Sequence, residues 1–451
     1  MAGDLQLFGS LFAEPPRNGL TRPKAVRGAG VKMVNMGELF MYPRLRNATM
    51  DRVPLNESEA ARFLLREGDL LFARQSLVLE GAGKCSIFLG DDEPVTFESH
   101  VTRVRLDPNK ANPNFYFYYL QSHHGRATIR SIVEQGAGAS GIRGSDLGRL
   151  NVQWFPVDMQ RVIAHILGTL DDKIELNRKM NKTLEAMARA IFKSWFVDFD
   201  PVRAKAEGRD TGLPKHIADL FPDSFVESEL GEIPAGWNIT ALGESVSTIK
   251  GRSYKSEELV ESNVALVTLK SFQRGGGYQS KGLKSYSGEY KAEQVIEPGE
   301  VVIACTDVTQ TAEVIGRPAI VRASLQFETL VASLDTMIVR PSNRRLTKAF
   351  LYYLMGTEAF TAHTYAHTTG TTVLHLAKEA IPSFRFVVPP DSLIDKFDEL
   401  VATALDRIDV AETESDMLAS LRDILLPKLI SGELRVPDAE KYVMEYYKGG
   451  R

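Results

Sequence analysis

The sequence contains only two cysteines, Cys85 and Cys305, among its 451 residues. They lie far apart, and neither has another cysteine or a histidine nearby at a spacing typical of metal ligands. We therefore expect neither a disulfide framework nor a zinc site. So little use of cysteine is typical of a protein of the reducing cytoplasm, which is the location we expect.

Long hydrophobic runs are also missing. No stretch approaches the 18 consecutive apolar residues of a membrane-spanning helix, so we expect no contact with a membrane. The first residues, Met1–Asp4, lack a basic region followed by an apolar run, so we expect no signal peptide.

A strong charge of one sign is absent too. With 54 basic and 58 acidic residues, the net charge is −4. Nucleic-acid-binding domains are often strongly basic, so this balance gives no support to such a function. It does not exclude one, because acidic residues elsewhere can mask a local basic face. The length and the 43% hydrophobic content indicate a globular chain of two or three domains.

The sequence contains only incomplete versions of the motifs that a catalytic or metal-binding site would need. An adenine methyltransferase needs an Asn-Pro-Pro-aromatic motif to hold a flipped base. The nearest sequence, Asn112–Phe115, lacks the second proline and precedes a helical stretch, so we interpret it as a helix start. His363 and His367 are spaced as on a zinc-binding helix, but the glutamate between them and a third ligand are missing.

Phosphate and nucleotide motifs are incomplete as well. Gly83 and Lys84 resemble the end of a phosphate-binding loop. However, Val78 stands where that loop needs glycine, and Cys85 where it needs a hydroxyl group. No glycine-rich loop for S-adenosylmethionine precedes a clear strand and helix, so the sequence predicts no cofactor in this chain.

What the sequence does contain is an internal repeat. Phe117–Leu120 is matched by Leu351–Leu354, about 234 residues later, and Asp172–Ile174 is matched by Asp406–Ile408. A period this long is not that of a solenoid. Chance similarity between two mixed domains is the alternative, but the matches keep their order along most of the unit. The pattern favours duplication of a whole domain together with its connecting helix.

Each repeat ends in a helical stretch whose apolar residues alternate steps of three and four, the heptad pattern of a coiled coil. The seams are predicted at Ile163, Leu167, Leu170, Ile174, Leu184 and Ile191, and at Phe397, Val401, Ile408, Leu418, Leu425 and Leu429. Asn177 and Asn181 also fall on the first seam. They either fix the register as buried residues or form a solvated polar stretch, and the sequence leaves both possibilities open.

Each apolar stripe needs a partner, and a globular domain between the helices allows them to pair antiparallel. We predict an α+β chain in which two α/β domains stand at opposite ends of a two-helix rod. The predicted segments are the first mixed domain 1–156, the first long helix 157–200, a connector 201–230, the second mixed domain 231–390, the second long helix 391–435 and a tail 436–451.

Several stretches resemble type I restriction-modification specificity subunits over nearly the whole chain. The central region of that family is similar to Leu170–Asn177, Leu184–Phe192 and Ser194–Val202. Gly231–Trp237 resembles the start of its second target-recognition domain, and Leu426–Leu434 the close of its distal conserved region. The first repeat here lacks a matching Gly-Trp-Leu-Gly-Glu start.

The resemblance implies a non-catalytic subunit with two target-recognition domains, each reading one half of a bipartite, asymmetric sequence in double-stranded DNA. The helices would set the spacing between the halves. Two methyltransferase subunits would dock on the chain, and restriction-translocase subunits would join them. S-adenosylmethionine and adenine N6-methylation would belong to the methyltransferase partner. The alternatives are a stand-alone DNA methyltransferase and a coiled-coil scaffold without a role on DNA.

If the chain reads DNA, polar side chains on loops should contact the bases, with Arg and Lys suited to guanine and Asn and Gln to adenine. For any single candidate, we favour the alternative of a solvated surface residue, and Arg74 and Arg143 are the strongest candidates. The first-repeat candidates are Arg22, Lys24, Arg27, Arg74, Gln75, Lys84, Ser140 and Arg143. The second-repeat candidates are Lys250, Arg252, Lys270, Arg274, Thr306, Thr309, Gln310, Thr371, Thr372 and His375.

Overall fold

A computed structural model describes residues 4–136, 138–308, 312–342, 346–436, 438–439 and 441. The chain divides into two units. Unit 1 consists of Met1–Leu176 and Ser415–Arg451, and unit 2 of Asn177–Glu414. The two boundaries between the units fall inside two long helices, so each unit contains part of each helix. Most of the predicted tail, 436–451, lies outside the described residues.

Unit 1 is a mixed α/β unit built from short elements. Its strands are β1 (Asp4–Leu7), β2 (Phe12–Asn18), β3 (Val31–Val34), β4 (Arg44–Leu45), β5 (Asp51–Val53), β6 (Leu70–Ala73), β7 (Gln75–Ser76), β8 (Cys85–Phe88), β9 (Val95–Phe97), β10 (Val101–Leu106), β11 (Glu134–Gln135), β12 (Ser140–Gly141) and β13 (Asn151–Trp154). Its short helices are α1 (Met36–Met41), α2 (Glu57–Phe63), α3 (Pro113–Gln121), α4 (His123–Arg130) and α5 (Gly144–Leu147).

The long helix α6 (Val157–Phe196) leads from unit 1 into unit 2. It is followed by the helices α7 (Asp200–Ala206), α8 (Lys215–Ala218), α9 (Lys348–Met355), α10 (Glu358–Ala366) and α11 (Asp391–Ser431). The strands of unit 2 are β14 (Phe225–Ser228), β15 (Gly231–Pro234), β16 (Asn238–Ala241), β17 (Val246–Lys250), β18 (Val264–Val267), β19 (Lys284–Ser285), β20 (Val295–Ile296), β21 (Val301–Ala304), β22 (Thr306–Asp307), β23 (Pro318–Ile320), β24 (Thr329–Ala332), β25 (Thr336–Pro341), β26 (Thr368–Thr369), β27 (Leu374–Leu376) and β28 (Arg385–Val388).

The central sheet of unit 1 has the strand order β2-β10-β6-β8-β4, with only β4 parallel to its neighbour. All four residues of β6 are buried because both faces of this strand are covered. Leu70 and Phe72 pack in the core that contains α3, and Leu71 and Ala73 pack in a second core on the other face. This two-sided burial explains why the strand is a continuous apolar run.

The central sheet of unit 2 has the order β17-β25-β21-β23, entirely antiparallel. Strand β21 is again buried on both faces, with Val301 and Ile303 in one core and Val302 and Ala304 in another. The strands β2, β10, β6 and β8 of unit 1 are arranged in the same way. In both sheets, the strand that comes first in the chain lies next to the one that comes last, followed by the second and then the third. A second sheet in each unit contains one parallel pair, β3 with β9 and β18 with β24.

Helices α6 and α11 contact each other in both units. In unit 1, Leu167 and Leu170 share a core with Leu425 and Leu429. In unit 2, the Asn177 side chain donates a hydrogen bond to the carbonyl of Ala411. Fifteen residues further along α6, the ring centre of Phe192 lies 5.4 Å from that of Phe397, which precedes Ala411 in the chain. These segments of the two helices therefore run antiparallel. The predicted mixed α/β chain with two long helices in contact is confirmed.

The predicted seam residues lie on the inner faces of these helices. All of them are buried except Leu184 and Ile191, which are partly exposed. Asn177 is 1% exposed and Asn181 is 8% exposed, so both amides are buried rather than solvated.

Helix α6 ends at Phe196, before the predicted boundary at residue 200, because the chain turns at Phe199, whose φ of 56° is left-handed. In the connector that follows, Phe221 is buried and its ring lies 5.3 Å from Trp195. No helix among the described residues is long and apolar enough to cross a membrane.

Candidate nucleic-acid interface

In unit 1, a small three-stranded sheet brings together two of the predicted base-reading loops. Strand β12 pairs with β7 on one side and β11 on the other, so Ser140 lies opposite both Ser76 and Gln135. The pairing continues where Ile142 donates its backbone N–H to the carbonyl of Arg74 at 2.9 Å. The loops at 74–76 and 139–143, separated by more than 60 residues in the sequence, thus form one surface.

Arg74 is half-buried at the base of this surface, which we call the unit 1 reading sheet (β7, β11 and β12). Its backbone N–H donates to His100 at 2.8 Å, and its Nη1 donates to the carbonyl of Ser99 at 3.0 Å. One side of the Arg74 guanidinium is therefore occupied by a hydrogen bond within the protein. Gln75, the next residue, is exposed, while Ser140 is 9% exposed.

Arg143 lies at the edge of the same sheet, with 69% of its side chain exposed. Its Nη2 donates to Glu134 at 2.8 Å, and the Glu134 side chain is 62% exposed. An ion pair this exposed contributes little to stability. Arg143 can therefore exchange Glu134 for a phosphate or a guanine edge at small cost.

Lys84 is engaged inside the protein. Its ammonium group donates to the carbonyl of Phe40 at 3.0 Å and lies 5.0 Å from the centre of the Phe40 ring. Burial, together with the positive charge of Arg126, lowers the pKa of Lys84. The side chain thus fixes the loop after β7 to helix α1.

The loop from Arg22 to Arg27 is held by carboxylates beside β3 and β5. Arg22 donates to Glu59 at 2.6 Å, and Arg27 donates to Asp51 at 2.8 Å. Lys24, between them, is exposed. Both arginine side chains are only about one-fifth exposed, at 18% and 22%, so Lys24 is the more available cation of this loop.

Unit 2 contains a corresponding surface, the unit 2 reading sheet (β22, β26 and β27). His375 of β27 lies opposite Thr306 of β22 on one side and Thr369 of β26 on the other. The predicted loops at 306–310 and 368–375 thus come together, although Thr309 and Gln310 lie outside the described residues. The hydroxyl of Thr306 is buried and donates to Asp335 at 2.9 Å.

Most of the other unit 2 candidates are exposed. Exposed side chains are those of Lys250, Lys270, Arg274, Thr371, Thr372 and His375. Arg274 forms a 3.1 Å ion pair with Glu313. Arg252 is half-buried and its backbone is fixed against the loop after β24, donating to Ala332 and accepting from Leu334, both at 2.7 Å.

Two residues that are not among the predicted site residues shape these sheets. Ser76 accepts the backbone N–H of Val78 through its hydroxyl oxygen at 3.2 Å, which closes the turn after β7. Asp307, 2% exposed, accepts the N–H groups of Val314 and Ile315 at 2.7 and 3.1 Å. Only their positions next to the candidates Gln75 and Thr306 could have suggested this role.

Aromatic helices connect each mixed unit to its long helices. In unit 1, Tyr118 of α3 donates to Asp171 of α6, and Arg422 of α11 donates to the other oxygen of Asp171 at 2.6 Å. Arg44 donates to the neighbouring Asp172 at 2.5 Å. These contacts fix the orientation of unit 1's sheets relative to its own part of the helix pair.

In unit 2, a similar network centres on Glu185 of α6. The hydroxyls of Tyr352 and Tyr353 on α9 donate to its two oxygens at 2.8 and 3.3 Å, and Arg189 donates to it at 3.1 Å. Burial and the Glu185 charge raise the pKa of both tyrosines, so their hydroxyls remain donors.

The sequences considered for catalysis have structural roles. Helix α3 begins at Pro113, and the Asn112 side chain caps it by accepting the N–H of Phe115 at 3.0 Å, so the interpretation as a helix start is confirmed. The rings of His363 and His367 lie 4.3 Å apart, and His363 Nε2 lies 3.0 Å from the carbonyl of Ala380. Within the described ranges, no three His, Cys, Asp or Glu side chains gather as a metal site.

Comparisons with known proteins point in one direction. The type I restriction modification DNA specificity domain matches residues 41–186, a segment that contains the unit 1 reading sheet and the start of α6. The HindI specificity subunit of Haemophilus influenzae is 23% identical over 83% of this chain and 88% of its own length. The MjaIX specificity subunit of Methanocaldococcus jannaschii is 25% identical over 72% of this chain and 69% of its own length.

A solved structure is similar in fold. The crystal structure of the type I restriction-modification S subunit from M. genitalium superimposes with a TM-score of 0.50. The match covers 94% of this chain and 95% of that one, at 17% sequence identity. At this level of identity, the likeness concerns the fold alone.

Proposed function

Because this chain belongs to the family of type I restriction-modification specificity subunits, we propose that it reads a bipartite, asymmetric DNA sequence, one half with each reading sheet. The observation that carries this proposal is the recurrence of the sheet. Each unit joins two loops that are distant in sequence into three short strands, and each places polar side chains there. The readers are the two target-recognition domains, 1–156 and 231–390.

The two domains are copies related by an internal pseudo-two-fold repeat. The identical order of the four central strands and the matching reading sheets support this duplication. Their exposed side chains differ, with Gln75 and Arg143 in unit 1 and Thr371, Thr372 and His375 in unit 2. Since different donors and acceptors select different bases, the two domains read different half-sites.

Helices α6 and α11 form an antiparallel coiled coil that sets the gap between the half-sites. The buried seam supports this role, as do the bonds from Asn177 to Ala411 and Glu414. Coiled coils use such buried asparagines to fix their register. A fixed register gives a fixed spacing, which a bipartite target requires.

The chain is the non-catalytic member of its complex. Two methyltransferase subunits dock on it, bind S-adenosylmethionine and methylate adenine at N6, and restriction-translocase subunits join where the system contains them. Exposed apolar side chains on the long helices offer contacts for such partners. They are Leu176 and Met187 on α6, and Leu400, Val410 and Ile424 on α11.

The decisive experiment maps N6-methyladenine across the genome of a host that expresses this chain with its methyltransferase subunit. A matched host expresses the methyltransferase subunit alone. We expect a gapped, two-part motif only when both subunits are present. A motif that persists without this chain, or no gapped motif with both subunits expressed, would overturn the proposal. Methylation by the purified chain alone would instead identify a stand-alone methyltransferase.

A further inference from the structure

The two most exposed large hydrophobic side chains among the described residues occupy the same place in the two units. Leu77 is 90% exposed and directly follows strand β7. Val308 is 69% exposed and directly follows strand β22. Each therefore stands at the tip of a reading sheet, one residue beyond a two-residue strand. Single exposed aliphatic side chains are common on protein surfaces, so it is the recurrence at equivalent positions of the two units that indicates a shared function.

Polar side chains next to both tips bond to the backbone there. Before Leu77, Ser76 pairs with Ser140 in the sheet, and its hydroxyl accepts the N–H of Val78. Before Val308, Asp307 pairs with Leu374, and its carboxylate accepts two backbone N–H groups from the far side of the loop. In both units, the residue before the aliphatic side chain is thus held by hydrogen bonds, and the aliphatic side chain itself is exposed.

The surface around Leu77 is a shallow, uncharged cleft, which suits the edge of a DNA base. This cleft beside Leu77 is lined by Gln135, Gly136, Gly138, Ala139 and Ser140, which are uncharged and mostly small. Arg143, two residues beyond β12, supplies a cation at the same sheet. In unit 2, continuing the pairing by one residue places Val308 opposite Val373, which is itself 36% exposed.

We propose that Leu77 and Val308 each read a thymine through its C5-methyl group. In the major groove, that methyl group is the apolar feature that distinguishes thymine from the other bases, and small apolar side chains contact it. This inference rests on the proposed function, because it requires the reading sheets to face DNA. It adds one named specificity contact to each half-site, in which an aliphatic side chain reads a methyl group.

The test uses the complex of this chain with its methyltransferase subunits and the target found by methylation mapping. In synthetic duplexes, each thymine of the target is replaced in turn by deoxyuridine, which lacks only the C5-methyl group. An adenine that is methylated pairs with a thymine, so the duplex always offers a position to replace. Binding is measured by fluorescence anisotropy for the wild type, Leu77→Ala and Val308→Ala.

For the wild type, we expect one deoxyuridine position in each half-site to weaken binding about 3- to 10-fold, the effect of losing one methyl contact. Leu77→Ala should weaken binding to the natural duplex by a similar factor and lose all sensitivity to the deoxyuridine in one half-site only. Val308→Ala should behave in the same way in the other half-site. Leu5→Ala, which changes a leucine that is 66% exposed on β1, is the matched control and should behave like the wild type.

The outcomes separate the two proposals. Specific binding by the wild type, with no deoxyuridine position coupled to Leu77 or Val308, would overturn the thymine contact and leave the proposed function standing. Loss of co-elution with the methyltransferase in the Leu77→Ala variant would overturn it too, by assigning the residue to a protein contact. Failure of the wild type to select any target would instead overturn the proposed function.

Discussion

The hydroxyl group of Tyr118 donates a hydrogen bond of 2.8 Å to Asp171, which fastens the aromatic helix α3 to the long helix α6. The second oxygen of Asp171 accepts from Arg422 of α11, so one carboxylate links three helices of unit 1. Burial, and then the negative charge of Asp171, raise the pKa of Tyr118. The phenol therefore remains protonated and keeps its role as donor.

Replacing Asp171 should destabilise the protein. In Asp171→Ala, the Tyr118 hydroxyl loses its acceptor in a mostly buried site, and the Arg422 guanidinium loses one of its two carboxylate partners. We expect the free energy of unfolding to fall by about 2–3 kcal/mol, the lower range for breaking a buried, charged contact. Urea unfolding followed by circular dichroism measures this change.

Asp423→Ala is the matched control. Asp423 also accepts from Arg422, at 2.7 Å, but its side chain is 65% exposed. Because solvent screens such a pair, its loss should cost less than about 1 kcal/mol. An equal loss in both variants would contradict the assigned role of Asp171.

Asn177 should stabilise the helix pair through its side-chain amide. It is 1% exposed and donates to the Ala411 carbonyl at 3.2 Å and to Glu414 at 2.8 Å. Asn177→Ala removes both bonds, so we expect a loss of about 1–2 kcal/mol in the same unfolding experiment. Lys182→Ala, at an exposed position of α6, should change the stability by less than about 0.5 kcal/mol. If the two variants unfold alike, the amide does not stabilise the seam.

The stability of the protein should fall in mild acid, partly because of His363. Burial and the neighbouring His367 lower the pKa of His363, against the opposing effect of the Ala380 carbonyl. The unfolded chain, with a histidine pKa of about 6.5, therefore takes up a proton first as the pH falls. This contribution to stability is present above about pH 6.5 and is lost as the pH falls towards the lower pKa of the folded state.

Thermal unfolding between pH 7.5 and pH 5.5 tests this dependence. We expect the midpoint to fall less steeply with pH in His363→Gln than in the wild type. His216→Gln, which changes an exposed histidine of α8, should retain the wild-type slope. A wild-type slope in His363→Gln would show that other groups account for the acid sensitivity.

The long helices could be predicted from the sequence because their apolar residues repeat at a spacing that only a helix satisfies. Ile163, Leu167 and Leu170 are buried for that reason. The state of Asn177 and Asn181 could not be predicted, since an asparagine on a seam is compatible with burial or with solvation. What decides between them is the partner helix, which supplies Ala411, Glu412 and Glu414 as acceptors.

The candidate site could be predicted only in part. The loops could be predicted because they carry polar side chains at corresponding places in the two repeats, but the partners of individual side chains depend on contacts distant in sequence. Lys84 donates to a carbonyl 44 residues away, and Arg22 donates to a carboxylate 37 residues away. Leu77 was missed because a single leucine in a loop sequence resembles any core residue, and only the fold shows that it is exposed.

Arg143 should contribute directly to DNA recognition. Because its guanidinium is exposed and pairs with the exposed Glu134, Arg143→Ala should not affect folding. If the side chain contacts a base, the variant should bind the target about 1–3 kcal/mol more weakly and accept other bases at one position. A phosphate contact would instead weaken binding to all sequences alike and reduce the salt dependence. Anisotropy at several salt concentrations, with methylation mapping, separates these cases.

Arg161→Ala, at a 59% exposed arginine of α6, is the control for the loss of one surface charge. Unchanged affinity and unchanged methylation specificity in Arg143→Ala would remove this residue from the interface, since its position at the edge of the reading sheet would then serve only the pair with Glu134.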